Sequence, residues 1–131
     1  MTLTACGIRP TPVLTGAEAP TVSSHTLTIF LVTAAHDGLV RRTRTYTGTV
    51  DITTAMNLLL AGPNDEEKKL GLTTELPATS SKAVPVLDVI VMPEDVAPPT
   101  SKWAIFQVHC TAMASRAKVA GVAPVADEYC P

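Results

Sequence analysis

Three histidines, three cysteines, two serine sites and one acidic run are the residues of this chain whose types could do chemistry. A zinc centre needs ligands at short, repeated spacings, such as two histidines one helical turn apart. His25, His36 and His109 instead fall on a strand, a turn and a helix, so no such spacing exists. A hydrolytic triad needs a serine held on a strained turn beside a histidine that an acid orients. Ser80, Ser81 and Ser101 stand in loops without the flanking glycines of that turn. Asp65, Glu66 and Glu67 form a carboxylate cluster, which a solvated, capped helix start accounts for. No glycine-rich phosphate loop is present, and the residues assign no cofactor and no metal. The reading is of a protein that is not an enzyme. Arg41, Arg42 and Arg44 make up the basic cluster. Alternation puts Arg42 and Arg44 on one strand face and Arg41 on the other, as edge charges that discourage aggregation. Arg42 and Arg44 are also the candidate surface contacts to anionic head groups or wall polymers.

The cysteines separate into one and two. Leu3-Thr4-Ala5-Cys6, followed by Gly7, resembles the lipobox of bacterial lipoproteins, where small residues admit the signal peptidase and the cysteine carries the lipid. Only four residues lie between Met1 and Cys6, too few for a signal peptide. The chain is therefore expected to begin just before a processing site, with Met1 an added start. Residues 1–24, rich in proline, threonine and serine, read as the lipobox and a flexible tether, and residues 25–131 as one folded domain. Once Cys6 is assigned to lipid, Cys110 and Cys130 remain. In an exported protein the pair reads as a disulfide, closing a loop worth roughly 3 kcal/mol. The alternative is a buried free Cys110 and a frayed tail carrying Cys130.

Composition sets the limits within which these residues must be positioned. With 46% hydrophobic and 17% charged residues among 131, the chain is globular rather than disordered. Ten basic against twelve acidic residues leave no positive surplus for a nucleic-acid partner. No apolar run reaches the length of a membrane-spanning helix. Thr26 to Thr33 alternates with apolar residues on both faces and predicts a central strand. Asp37-Gly38 turns it, and residues 39–47 predict the return strand, with Val40, Arg42, Arg44 and Tyr46 on one face. Asp51 is the expected N-cap of a helix over 52–61, which Gly62-Pro63 stops. Asn64 and Glu67 predict a capping box at a short second helix. Residues 83–92 read as one strand, or as two short ones around Pro85. Ser101 caps a helix over 102–116 whose apolar face is expected to hold Ile105, Phe106, His109, Cys110 and Met113. Residues 118–126 close the series as a weak strand. The order β-β-α-(α)-β-α-β predicts an α+β domain: a single mixed or antiparallel sheet with two main helices packed on one face.

The string Leu58-Leu59-Leu60-Ala61-Gly62-Pro63, then Glu67, Gly71-Leu72-Thr73-Thr74 and Leu76-Pro77, resembles the GerMN domain. That domain is named for the spore-germination protein GerM and is found in actinobacterial lipoproteins, with a related domain in the LpqB type. The opening hairpin and the pair Gln107 and Thr111 match more softly. The resemblance covers about residues 25–126. It implies a ring-building-motif-like fold and no catalytic residues. It also implies a membrane-anchored protein on the extracytoplasmic face of the bacterial cell, in the processes of sporulation, germination or envelope signalling. The function expected on this basis is a non-enzymatic scaffold or protein-interaction module with a protein partner in the envelope. Self-association as a homo-oligomer is compatible with the ring-building likeness. The alternative is a receptor lipoprotein for a small molecule or glycan, which would need a pocket lined by residues such as Trp103 or Tyr46.

Overall fold

The computed structural model describes residues 23–96, 99, 101–122 and 127–131. The lipobox, Cys6 and nearly all of the tether lie outside the described residues, as do positions 123–126 of the expected last strand. The elements run β1 (Ser24–Val32), β2 (Leu39–Thr47), α1 (Thr54–Leu60), α2 (Asp65–Lys69), β3 (Val84–Val86), β4 (Val89–Val91), α3 (Lys102–Ala114) and β5 (Lys118–Val119). A short 3-10 turn, Asp127–Tyr129, follows. This is an α+β fold, as the order of elements predicts.

The expectation of a single sheet is corrected. Among the described residues there are two: an antiparallel pair β1-β2 and a three-stranded sheet β3-β4-β5 whose last pair is parallel. They share one core. Ile29 and Leu31 from β1, Ile90 from β4, Met56 and Leu59 from α1, and Val108 from α3 are fully buried within the same cluster. Helices α1 and α3 both pack on β1. Over part of its second edge β1 bonds to groups outside any named strand. Val32 exchanges backbone bonds of 2.8 and 2.9 Å with Thr73, and Phe30 O accepts from Gln107 Nε2 at 3.1 Å. β1 is thus buried on both faces over Ile29–Val32, yet among the described strands only β2 pairs with it.

Three local expectations shift for physical reasons. The first helix begins at Thr54 rather than at 52, because the Asp51 carboxylate accepts from Thr53 N and Thr53 Oγ1 and shapes a turn ahead of it. Residues 83–92 divide into two short strands, but at Leu87-Asp88 rather than around Pro85, which sits inside β3 opposite Ile90. The buried face of α3 runs through Ala104, Gln107, Val108, Thr111 and Ala112, with Phe106 and Cys110. Ile105 and His109 are half-buried and Met113 is exposed. That helix is apolar nearly all round, so periodicity carries little information about its orientation. The buried amide of Gln107 decides it, because the amide must be satisfied. The capping box of α2 forms as the spacing predicts: Glu67 N donates to Asn64 Oδ1 and Asn64 N to Glu67 Oε1, both at 2.9 Å. Gly71 follows with φ +82°, and a Cβ there would stand 3.0 Å from Ala34 Cβ, so its position ties α2 to the first hairpin.

Candidate functional site

Polar side chains converge at three places, and each joins segments distant in sequence. The first is Glu67, which is only 1% exposed although its neighbours Asp65 and Glu66 face solvent. Arg44 Nη2 donates to Glu67 Oε1 and, at 3.0 Å, to Gly62 O, while Arg42 Nε approaches Glu67 Oε2 at 3.4 Å. Burial pushes the Glu67 carboxyl up. The hydrogen bond from Arg44, the Asn64 backbone bond, the charge of Arg44 and the Arg42 bond outweigh it and hold the carboxyl below its ordinary value. One expectation is corrected here: Glu67 is not part of a solvated helix start. Arg42 and Arg44, half-buried, pair with it and clasp β2 to α2, and Arg44 also to the Gly62 carbonyl that follows α1.

The second convergence is Gln107, fully buried on α3. Its Oε1 accepts from Glu75 N at 3.0 Å, and its Nε2 donates to Phe30 O and to Thr74 Oγ1 at 3.0 Å. One amide thereby ties α3 to β1 and to the segment after α2. Thr111, one turn further on, is equally buried.

The third joins His36, Glu75 and Ser101. His36 Nδ1 lies 3.1 Å from Glu75 Oε2, and Ser101 Oγ donates to Glu75 Oε1 while capping α3 at Ala104 N. The residue types are those of a hydrolase, but the order is wrong for one. In an acyl-transfer triad the imidazole sits between hydroxyl and carboxylate and takes the hydroxyl proton. Here the carboxylate is central, its two oxygens divided between Ser101 and His36. Ser101's hydrogen bond first, and His36's next, hold the Glu75 carboxyl below its ordinary value, which makes it a weaker base. The side chain of His36 is more than half exposed, so no enclosed cavity surrounds the group. Sequence reasoning missed Glu75 altogether, since nothing in its neighbours sets it apart. Among the described residues, no group of three or more His, Cys, Asp and Glu could hold a metal ion.

Cys110 and Cys130 come together as a disulfide, with Sγ atoms 2.02 Å apart. The bond fixes the Asp127–Tyr129 turn against α3, where the Tyr129 ring stacks on Phe106 at 4.9 Å between centroids. Trp103 meets Phe106 edge-on, with ring centroids 5.5 Å apart.

Two surface features remain. One is an open groove of about 490 Å³ between α3 and β5, lined by His109, Ala112, Met113, Ala117, Lys118, Val119 and Val122. Neither Trp103 nor Tyr46 lines it. The other is the β3-β4 hairpin. Cross-strand pairing and alternation put Val84, Val86, Val89 and Val91 on one face, with Ile90 on the face that enters the core. On the open face Val84 and Val86 are 53% and 54% exposed. At the tip Leu87 is 94% exposed and holds φ +59°. A leucine in that region of backbone space costs roughly 1–2 kcal/mol, which is why turns there prefer glycine or asparagine.

Comparison of the chain with models of protein families, with curated proteins and with solved structures finds no match. Fold and site together define a small α+β domain with an internal disulfide. Its Glu67, Gln107 and Glu75 clusters act as clasps, and exposed apolar surface gathers on one hairpin.

Proposed function

We propose that this chain is a lipid-anchored envelope protein whose folded domain is a non-enzymatic protein-interaction module of GerMN type. Leu87 carries the reading. Folding gains nothing from a leucine that is both strained in backbone and nearly fully exposed. Binding does gain: the side chain heads a contiguous valine face able to bury itself against another protein. The clasps support the same reading, because Gly62, Glu67 and Gly71 of the GerMN-like string each have a structural contact. The likeness to ring-building motifs belongs to this proposal too, supported by the element order and by α3 packed on β1. Cys6 as the lipid site and the extracytoplasmic face as the location rest on the lipobox and are consistent with a disulfide between Cys110 and Cys130.

The test is capture from native membranes with wild type and Leu87→Gly in parallel. The variant relieves the backbone strain, so its stability is expected to stay within about 1 kcal/mol of wild type or to rise. A protein retained by wild type and lost by Leu87→Gly is the expected result; equal retention refutes the role of the hairpin. For the anchor, the full-length gene product is expected to enter the detergent phase while Cys6→Ala stays in the aqueous phase. Equal partitioning removes the lipid.

A further inference from the structure

Sheet edges are hazards that folds close off, because an unpaired strand offers its N–H and C=O groups to any passing chain. Two of the edges here are closed or minimal, and a third, β1, is closed over Phe30–Val32. β1 spends Val32 on Thr73 and the Phe30 carbonyl on Gln107. β5 has two residues, Lys118 and Val119. On β3 the outward-facing position is Pro85. Its partner Ile90 turns its own carbonyl to Ala120 N at 2.9 Å, toward β5, so the Pro85–Ile90 pair is one that does not bond across the hairpin. The group that would face a newcomer on β3 is therefore a proline nitrogen with no hydrogen to give.

β2 is treated differently. Thr33 N donates to Gly38 O at one end of the first hairpin, and Gly48 N to Ser23 O at the other. Bonded pairs alternate along an antiparallel ladder, so Val40, Arg42, Arg44 and Tyr46 bond to β1. The N–H and C=O groups of Leu39, Arg41, Thr43, Thr45 and Thr47 point away from it. No described strand pairs with them. The open edge extends over the nine residues of β2, without proline, and Thr43, Thr45 and Thr47 are exposed. β2 carries Arg41, Arg42 and Arg44 and no carboxylate. Glu67 is shared by two of these arginines, which leaves the edge cationic.

We infer that β2 is a docking edge that accepts an extended, carboxylate-bearing segment of another protein as a third strand of this sheet. The bonds are main-chain to main-chain, and the charge sets which segment is preferred. A second copy of this chain is the poorer occupant. It would bring three more arginines and no carboxylate, and pairing β2 with itself over its full length sets Arg42 opposite Arg44. The inference rests on the domain being an interaction module, but not on the Leu87 hairpin.

Amide hydrogen exchange on the disulfide-intact protein tests it, with a synthetic peptide alternating valine and glutamate at millimolar concentration as the probe. A peptide with lysine in place of glutamate is the control. The acidic peptide is expected to slow exchange at Thr43 and Thr45 by about tenfold or more, the basic one to leave it unchanged, and added salt to weaken the effect. Thr43→Pro removes one outward donor without touching the β1 ladder and is expected to abolish the protection, whereas Thr43→Val retains it. The comparison of peptides on wild type stands even if the proline variant fails to fold. Equal protection by both peptides, or none by either, overturns the inference. Protection that rises with protein concentration in the absence of peptide makes a second copy the occupant and overturns it equally. Leu87→Gly is expected to leave these amides unaffected, so failure of the edge and failure of the hairpin are read separately.

Discussion

Replacing Glu67 with alanine is expected to cost about 3–5 kcal/mol in urea unfolding, the range found when one partner of a buried ion pair is removed. The loss has three parts. Arg44 and Arg42 lose their shared counter-charge, Asn64 N loses the acceptor that completes the capping box, and a buried side chain leaves a void. Glu67→Gln separates them, because the amide oxygen can still accept from Asn64 N while the charge is gone; it is expected to fall between wild type and alanine. Glu66→Gln, one residue earlier and exposed, is expected to stay within about 0.5 kcal/mol. Acid should act through the same carboxylate. Its folded value lies below its unfolded one, so the clasp contributes fully above the ordinary glutamate range. The contribution is lost as pH falls through that range toward the folded value. The Glu75 and Asp51 carboxyls are lowered as well, by hydrogen bonds from Ser101 and from Thr53 first of all, and weaken in the same direction. Urea midpoints measured from pH 7 to pH 3 should therefore decline in wild type and decline less in Glu67→Gln. An alanine variant within 1 kcal/mol of wild type would refute the clasp.

That cluster also marks the limit of what the sequence makes legible. The capping box, the Gly62 stop and the first hairpin are local, and their residue types at fixed offsets predict them. The burial of Glu67 is not local. It depends on Arg42 and Arg44 arriving from β2, more than twenty residues earlier, and nothing in Asp65-Glu66-Glu67 shows which carboxylate turns inward. Glu75 is hidden for the same reason, since its partners His36 and Ser101 stand far apart on either side. The sheet count fails on a related point. Strands 84–86 and 89–91 look like additions to the first hairpin, but over Phe30–Val32 the β1 edge is already committed to Thr73 and Gln107, and the two strands pair instead with each other and with β5. Periodicity reports which faces are apolar; it does not report which hydrogen bonds an edge has already made.

Breaking the bond between Cys110 and Cys130 is expected to be the second large loss. The cysteines are 20 residues apart, and a loop of that length is worth about 3 kcal/mol in the chain-entropy account. Cys130→Ser should approach that figure. It leaves Cys110 as a buried thiol, which behaves as a small apolar side chain, and releases the Tyr129 ring from Phe106. Cys110→Ser should cost more, because its hydroxyl would sit at a position with no solvent exposure, and an unsatisfied buried donor adds about 1–3 kcal/mol. The order, with the α3 variant the worse, distinguishes a bond seated in the core from one that tethers a surface tail. Alkylation followed by mass spectrometry supplies the independent check. Without reductant neither cysteine should be labelled, and with reductant Cys130 should be labelled before Cys110, since Cys110 stays enclosed until α3 loosens. Labelling of both without reductant would leave the Asp127–Tyr129 turn held by aromatic stacking alone, and Cys130→Ser would then be nearly silent.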